Sequence, residues 1–225
     1  MNVTAFVGTQ RKQGLVSSIC QEVLKGAADE GADTELVNLY DYSINHCLGC
    51  WSCYTENRCF QDDEFEILYE KLKKSSVIIL GSPVYCGNVP GIMKDFFDRH
   101  TGHALYNPPC VPDFHLLPPS KKLQQLIRGI RNFGTKDKDI WGKFFILVMA
   151  STLPFPITLI KRQTHIAMRA MDFFVDRFRG KRIAKLMYTD SLLKFNPVKE
   201  KRILKKAYRI GQKATIKYNY HKEVT

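Results

Sequence analysis

Apolar runs that are typical of buried strands recur along the chain, and stretches with helical spacing lie between them. The strand-like runs are NVTAFVG, TELVNL, SVIILGSP, KFFILVMAS and RIAKLMYTD. After the first run, LVSSICQEVLKGAADEG places its apolar residues on one face of a helix, and Gly31 marks the end of that helix. Strand and helix therefore alternate from the N-terminus onward.

The other helical segments support the same alternation. DDEFEILYEKLKKS has acidic residues at its start and lysines at its end, which suits a helix dipole, and PGIMKDFFDR begins with Pro90. Longer helical patterns fill residues 158–179 and about 197–218. The alternation predicts an α/β fold with helices on both faces of a parallel sheet. Five strands suit the flavodoxin-like doubly wound order 2-1-3-4-5, and we expect residues 1–225 to form a single domain.

Residues 100–142 interrupt this alternation. HTGHALYNPPCVPDFHLLPPS contains five of the ten prolines, which excludes a long helix or a central strand, whereas KKLQQLIRGIRNFG predicts one short helix. Connections of this length are uncommon in compact domains and often form a lid or an oligomer contact. The segment has such a role, or it is a peripheral excursion without a direct one.

The composition is that of an ordinary globular protein, with 44% apolar and 12% aromatic residues. No run approaches the roughly 18–20 apolar residues that span a bilayer. The first residues lack the pattern of a signal peptide, so we expect a cytoplasmic protein.

The net charge of +12 is uneven along the chain. Residues 1–120 hold nine Lys or Arg against 15 Asp or Glu, and residues 121–225 hold 25 against seven. A basic half of this kind favours an acidic protein, an anionic membrane surface or nucleic acid as a partner. The same residues could equally serve only to solvate the outer faces of helices.

Four cysteines lie close together in CLGCWSCYTENRC, between a predicted strand and a predicted helix: Cys47, Cys50, Cys53 and Cys59. In a reducing compartment such a set is more often metal-binding or catalytic than disulfide-bonded. The C-x2-C-x2-C run suits three corners of an iron–sulfur cubane, and Cys59 lies within reach as the fourth ligand. The same run crowds one side of a tetrahedral zinc ion. Zinc and metal-free thiols stay open as alternatives.

Three loops are candidates for ligand binding, because ligands of such sheets bind beyond the carboxyl ends of the strands. GTQRKQG, residues 8–14, offers backbone N–H groups, the Thr9 hydroxyl and the charge of Arg11 or Lys12 to a phosphate at a helix N-terminus. Its spacing matches neither a dinucleotide-binding Rossmann loop nor a P-loop. The other two candidates are residues 82–90 and 150–156.

The second loop belongs to GSPVYCGNVPG, which is the more informative segment. Its glycines allow a ligand to approach the backbone closely, and Tyr85 offers an aromatic face to a planar ligand. We expect Cys86, within the same segment, to be a small packed residue rather than a nucleophile.

Taken together, these segments resemble the iron–sulfur flavoproteins, a branch of the flavodoxin-like NAD(P)H-dependent FMN and quinone reductases. The resemblance runs through GTQRKQG, CLGCWSCYTENRC, DDEFEILYEKL and GSPVYCGNVPGIMKDFFDR, in that order, over about residues 1–100. It implies an FMN-dependent oxidoreductase with a [4Fe–4S] cluster, ligated by Cys47, Cys50, Cys53 and Cys59. It also implies a homodimer or homotetramer that passes electrons from ferredoxin or NAD(P)H to a quinone-like or other small acceptor.

The resemblance further implies which residues bind FMN. Thr9 and Arg11 would lie at the phosphate, with Ser17 as a nearby hydroxyl. The flavin ring and ribityl chain would run along Pro83, Val84, Tyr85, Gly87 and Asn88. In the third loop, ASTLPFP, the side-chain donors would be Ser151 and Thr152.

Two features of the sequence depart from the pattern of the resembled family. Leu15 and Val16 stand where a polar pair is usual, and the third loop lacks the usual glycines. These departures keep open a non-enzymatic binding module that uses the basic C-terminal half. A cluster-free NAD(P)H-dependent FMN or quinone reductase, whose cysteines are structural or redox-active thiols, is the other alternative.

The basic half also bears on the electron donor. Ferredoxins are acidic, so a positive surface would steer them, and we favour a ferredoxin-like donor over NAD(P)H. No acid–base residue is required for the chemistry, because FMN itself exchanges the electrons.

Overall fold

The computed structural model describes residues 1–50, 52–56, 58–100, 117–131, 140–153, 157, 163–189 and 197–224. Its parallel strands are Asn2–Val7 (β1), Asp33–Asn38 (β2), Val77–Pro83 (β3), Phe144–Ala150 (β4) and Lys181–Tyr188 (β5). They form a five-stranded sheet in the order β2-β1-β3-β4-β5. The predicted flavodoxin-like doubly wound fold is confirmed.

The helices in the described ranges are Leu15–Ala28 (α1), Ser52–Thr55 (α2), Phe65–Lys74 (α3), Gly91–Arg99 (α4), Pro119–Arg131 (α5), Gln163–Arg177 (α6) and Pro197–Val224 (α7). A 3-10 turn, Leu39–Asp41, follows β2. The last helix is longer than its sequence pattern predicted. The short helix predicted within residues 100–142 is confirmed as α5, whereas residues 101–116 and 132–139 lie outside the described part, so the role of this segment stays a prediction.

Each face of the sheet has its own apolar core. On one face, α3, α4 and α6 pack against strand residues such as Phe6, Leu80 and Phe145. On the other face, α1 and α7 pack against residues such as Ala5 and Ile79. Every residue of β4 is buried, because a central strand covered on both faces has no solvent side. This is why the sequence shows continuous apolar runs rather than alternation.

The two helices of the second face, α1 and α7, approach each other backbone to backbone. A Cβ atom added at Gly26 would lie 2.0 Å from the carbonyl oxygen of Tyr208, and one added at Gly211 would lie 2.0 Å from that of Val23. Glycine is therefore required at both positions for this close crossing. The Tyr208 hydroxyl also donates a hydrogen bond of 2.6 Å to Asp29.

The carboxyl ends of the strands meet at one edge of the sheet. In the register, Val7 of β1 pairs with Asn38 of β2 and Gly81 of β3, and Gly81 pairs with Val148 of β4. The loop after β1, the cysteine loop after β2 and the loop after β3 thus leave the sheet on the same side. Within the described ranges, no helix has the length and apolar content that crossing a membrane requires.

Candidate functional site

A cleft of about 320 Å³ opens at this edge of the sheet. That volume falls within the roughly 300–1,000 Å³ typical of small-molecule sites. The lining residues come from the loop after β1, the first turn of α1, the ends of β3, β4 and β5, and the start of α7: Thr9, Arg11, Gln13, Gly14, Leu15, Val16, Ser18, Pro83, Val84, Tyr85, Ala150, Thr152, Tyr188 and Glu200. Six of the ten predicted flavin-site residues therefore line one cleft.

One end of the cleft is suited to an anion. Helix α1 begins after Gly14, which provides no side-chain cap, and its first turn contains no acidic residue. Its first N–H groups therefore lack a side-chain partner, and the helix dipole is positive here. Exposed Arg11 adds a full positive charge to the same lining. This arrangement is typical of a phosphate-binding site at a helix N-terminus.

Buried and partly buried hydrogen bonds stabilise the loop that forms this end. Ser17 does not line the cleft; its buried hydroxyl donates to the carbonyl oxygen of Arg11 at 3.2 Å. The side-chain amide of Asn38, at the end of β2, donates to the carbonyl oxygen of Thr9 at 2.9 Å. The Thr9 hydroxyl in turn accepts from the backbone N–H of Arg11 at 3.2 Å. Sequence reasoning missed Asn38, because its role depends on the pairing of β2 with β1.

The segment after β3 is shaped by a tight turn. Tyr85 and Asn88 exchange two backbone hydrogen bonds of 2.8 and 2.9 Å, and Cys86 and Gly87 between them have φ values of 48° and 78°. Two consecutive positive φ values define a type I′ turn. The turn leaves Tyr85, which is 53% exposed, at the mouth of the cleft. Gly87 and Asn88 build the turn and do not line the cleft.

The expectation that Cys86 is a packed residue is wrong. The thiol is exposed, because a two-residue turn with positive φ at both positions projects away from the sheet. A second thiol outside the cysteine loop, Cys20, is buried, and burial raises its pKa far above the ordinary range.

Of the two residues predicted in the loop after β4, one lines the cleft and the other stabilises the loop. Thr152 lines the cleft. Ser151 is buried, and its backbone N–H donates to the carbonyl oxygen of Tyr188 at 2.8 Å. Residues 154–156 of this predicted loop lie outside the described part. Tyr188 and Glu200 also line the cleft, but no local sequence signal connects β5 or α7 with the loops of the first half.

The two ends of the cysteine loop are hydrogen-bonded to each other. Ser43 and Glu64 are joined twice: the backbone N–H of Ser43 donates to the Glu64 carboxylate at 2.6 Å, and the N–H of Glu64 donates to the carbonyl oxygen of Ser43 at 3.1 Å. One step inward, the N–H of Asn45 donates to the carboxylate of Asp63 at 2.9 Å. These contacts close residues 46–62 into a loop with fastened ends.

The cysteine thiols of this loop differ in their exposure to solvent. Cys47 and Cys50 are exposed, whereas Cys53 and Cys59 are half-buried. Burial and the nearby thiols of the other three raise the pKa of Cys53. A hydrogen bond with the hydroxyl of Ser52 lowers the pKa of Cys50. In the ranges that the structure describes, no three or more His, Cys, Asp or Glu side chains are arranged as a metal site.

The fold and a family match show which class of protein this chain resembles. Residues 1–112 match the family described as NADPH-dependent FMN reductases. With the flavodoxin-like fold, this match makes the chain similar to flavin-dependent oxidoreductases. The match of residues 1–112 to the NADPH-dependent FMN reductase family confirms the resemblance predicted from the sequence.

The relatives that match this part of the chain carry a narrower description than the family does, because they are iron-sulfur flavoproteins. An iron-sulfur flavoprotein of Methanocaldococcus jannaschii is 37% identical over 99 residues, which are 44% of this chain and 51% of that protein. Another, of Clostridioides difficile, is 33% identical over 118 residues, which are 49% of this chain and 52% of that protein. The matched stretch thus spans about half the length of these relatives.

Among solved structures, an NAD(P)H:quinone oxidoreductase from Methanothermobacter marburgensis has the same fold. Its TM-score is 0.67, with 94% of this chain and 96% of that chain covered at 12% identity. At this identity the likeness extends to the fold alone.

Proposed function

We propose that this protein is an FMN- and [4Fe–4S]-dependent oxidoreductase that passes electrons between a ferredoxin-like or NAD(P)H donor and a quinone-like or other small acceptor. One observation carries the proposal: the sheet brings a cleft with an anion-binding end and a four-cysteine loop to the same edge. FMN, when bound, supplies the means to couple two-electron chemistry with a hydride donor or quinone to one-electron chemistry with a cluster.

The cleft fits FMN in the chemistry of its two ends. We assign the phosphate to Thr9, Arg11 and the first N–H groups of α1. Leu15 and Val16 line the cleft with apolar side chains, so their contribution to an anion is limited to the backbone. We assign the flavin ring to Pro83, Val84 and Tyr85, with Thr152 as a donor at its edge.

The four predicted residues that lie outside the lining have a supporting role in this proposal. Ser17 holds the phosphate loop through Arg11, and Ser151 holds the loop after β4 through β5. Gly87 and Asn88 keep the turn that directs Tyr85. Substitutions at these positions would act on FMN affinity through the loop conformation rather than through a lost contact.

We propose Cys47, Cys50, Cys53 and Cys59 as the ligands of the cluster. The donor set fits a cubane in number and type, since four thiols with suitable spacing share one loop. The iron-sulfur flavoproteins among the similar proteins support the same assignment. In this role Cys53 and Cys59, which are half-buried, would form the protected side of the site, and Cys47 and Cys50 the side facing solvent.

The exposed face of α7 supports an acidic electron-transfer protein as the partner. Seven basic side chains are exposed on it: Lys201, Arg202, Lys205, Lys206, Arg209, Lys213 and Lys217. Residues 201–221 contain no Asp or Glu, and like charges four residues apart repel one another on a helix. The first turn of the helix lies beside the cleft, which Glu200 lines. An acidic partner docked on this face would therefore approach the flavin.

The test is a cofactor count on protein purified without oxygen. We expect one FMN with about four iron and four sulfide per chain, the content of a single cubane. Cys→Ser changes at the four positions should remove the iron and leave the flavin. Flavin without iron would contradict the cluster and support a cluster-free FMN or quinone reductase. The absence of flavin would contradict the proposed cleft chemistry. Light scattering on the same sample would test the proposed homodimer or homotetramer.

A further inference from the structure

A buried ion pair joins the end of α4 to the residue segment before α3. The side chains of Arg99 and Asp63 are only 1% and 3% exposed. The two guanidinium Nη atoms donate to the two carboxylate oxygens at 2.5 and 3.0 Å, which is the bidentate geometry of a strong charge-assisted pair. Buried pairs gain little net stability, because both charges lose their hydration. The position of this pair therefore points to a role beyond stability.

The pair fastens both ends of the cysteine loop. On the entering side, the carbonyl oxygen of Asn45 accepts from Arg99 at 3.0 Å, and the N–H of Asn45 donates to Asp63 at 2.9 Å. On the returning side, Asp63 itself belongs to the chain four residues after Cys59. Arg99 thus connects the two ends of the loop to α4 through a single planar group.

The guanidinium of Arg99 keeps one donor unused. Its Nε atom is buried and has no hydrogen-bond partner in the described part of the chain. The group therefore retains a donor to offer at the base of the cysteine loop.

Helix α4 connects this pair with the flavin cleft. It begins at Gly91, directly after the segment with Tyr85, and ends at Arg99. Asp95 of the same helix binds His46, the residue before Cys47, at 2.8 Å. Helix α4 thus follows directly on the turn beside the cleft, and its later residues bind the cysteine loop.

We propose that Arg99 is the positioning residue of the cysteine loop: with Asp63 it fixes both ends of the loop, and thereby the place of Cys59, four residues before Asp63. The part of this inference that concerns the cluster rests on the proposed function. Residues that hold a metal ligand in its position increase the affinity for the metal. Exposed Lys94, which pairs with Asp98 on the surface of the same helix, has no such role.

The first test uses the protein without iron. The variants are Arg99→Gln, Arg99→Lys and Asp63→Asn, with Lys94→Gln as the matched control. Hydrogen exchange of residues 43–64 and alkylation of Cys59 by iodoacetamide are followed by mass spectrometry. Arg99→Gln and Asp63→Asn should speed both, and Lys94→Gln should change neither. Unchanged exchange and alkylation in Arg99→Gln would overturn the inference. If Arg99→Gln fails to fold, Arg99→Lys, which keeps the charge but loses the bidentate geometry, replaces it with the same criterion.

The second test uses protein loaded with iron and sulfide. Arg99→Gln should shorten the lifetime of the cluster under a chelator by about tenfold or more, as is typical for partners of metal ligands. Arg99→Lys should restore part of this lifetime, while the FMN content stays unchanged. An unaltered lifetime in Arg99→Gln would refute the part of the inference that concerns the cluster. A wild-type protein that takes up no iron, with a loop that Arg99→Gln still loosens, would refute the cluster and support the positioning role.

Discussion

At the scale of single residues, neighbours in sequence have different roles at the cleft. Arg11 lines it, whereas Lys12 points to Asp41 and forms an exposed ion pair of 2.7 Å. The sequence alone offered either charge to a phosphate. The loop conformation decided between them, because the hydrogen bonds of Thr9 and Ser17 fix the backbone of Arg11.

This difference makes Arg11→Gln a test of the phosphate end. A charge-assisted hydrogen bond contributes roughly 1.5–3 kcal/mol, so the dissociation constant of FMN should rise by about tenfold or more. Fluorescence titration of the apoprotein with FMN measures it. Lys12→Gln is the matched control and should change the constant little. Equal effects of the two changes would argue against the assigned phosphate position.

Asp63 should make the stability depend on acid pH. Burial raises its pKa, but hydrogen bonds from Arg99 and from the backbone N–H groups of Asn45 and Phe65 outweigh burial and lower it. A carboxyl with a lowered pKa stabilises the fold above its unfolded pKa of about 3.9. That contribution is lost as the pH falls through the folded pKa.

The measurement is urea unfolding of the wild type and Asp63→Asn between neutral and acid pH. At neutral pH the variant should lose about 3–5 kcal/mol, the cost of breaking a buried pair, and the difference should shrink below about pH 4. Asp62→Asn, at the exposed neighbouring position, is the control. A difference that does not change with pH would show that the ion pair is not its source.

At the scale of elements, close packing of α1 against α7 makes two glycines irreplaceable. Gly211→Ala would drive a methyl group into the carbonyl oxygen of Val23, and overpacking of this kind costs roughly 1–3 kcal/mol. Chemical denaturation measures the loss. Gly91→Ala, where an added Cβ meets nothing within 4 Å, should be nearly neutral. A neutral Gly211→Ala would mean that the two helices can move apart freely.

Strand order and helix positions were predictable from the sequence for a physical reason. Central strands such as β3 and β4 are buried on both faces, so their apolar runs are continuous. The bounds of α6 and α7 were less predictable, because basic residues on an exposed helix face carry little information about where a helix ends. The turn of Cys86 and Gly87 was missed because only one of its residues is a glycine.

At the scale of the whole molecule, the uneven distribution of charge along the sequence gives the folded protein a basic surface. The excess of Lys and Arg after residue 120 includes the exposed face of α7. If an acidic ferredoxin docks there, its reduction of the protein should slow as salt rises, because exposed charges are screened within about 10 Å at 0.1 M. Stopped-flow absorbance at several salt concentrations measures the rate.

Charge-reversal variants distinguish the effect of this helix face on the rate from the effect of the net charge. Lys205→Glu should slow the reaction with ferredoxin severalfold at low salt and leave the rate with a small neutral donor unchanged. Lys74→Glu changes the net charge equally at the end of α3, and it should have a much smaller effect. A rate insensitive to salt and to Lys205→Glu would exclude α7 as the docking face.

The sequence by itself determined the class of fold and the kinds of chemistry present. Burial imposes a pattern on apolar residues that survives in the linear chain, and cysteine spacing and a loop between strand and helix are local. Only the tertiary structure decided which residues meet. Strand pairing lets Asn38 support the loop of Thr9, Tyr188 and Glu200 line the cleft from distant elements, and Arg99 reaches Asp63 across 36 residues. Such contacts depend on the register of the sheet and the path of α4, which leave no local signal in the sequence.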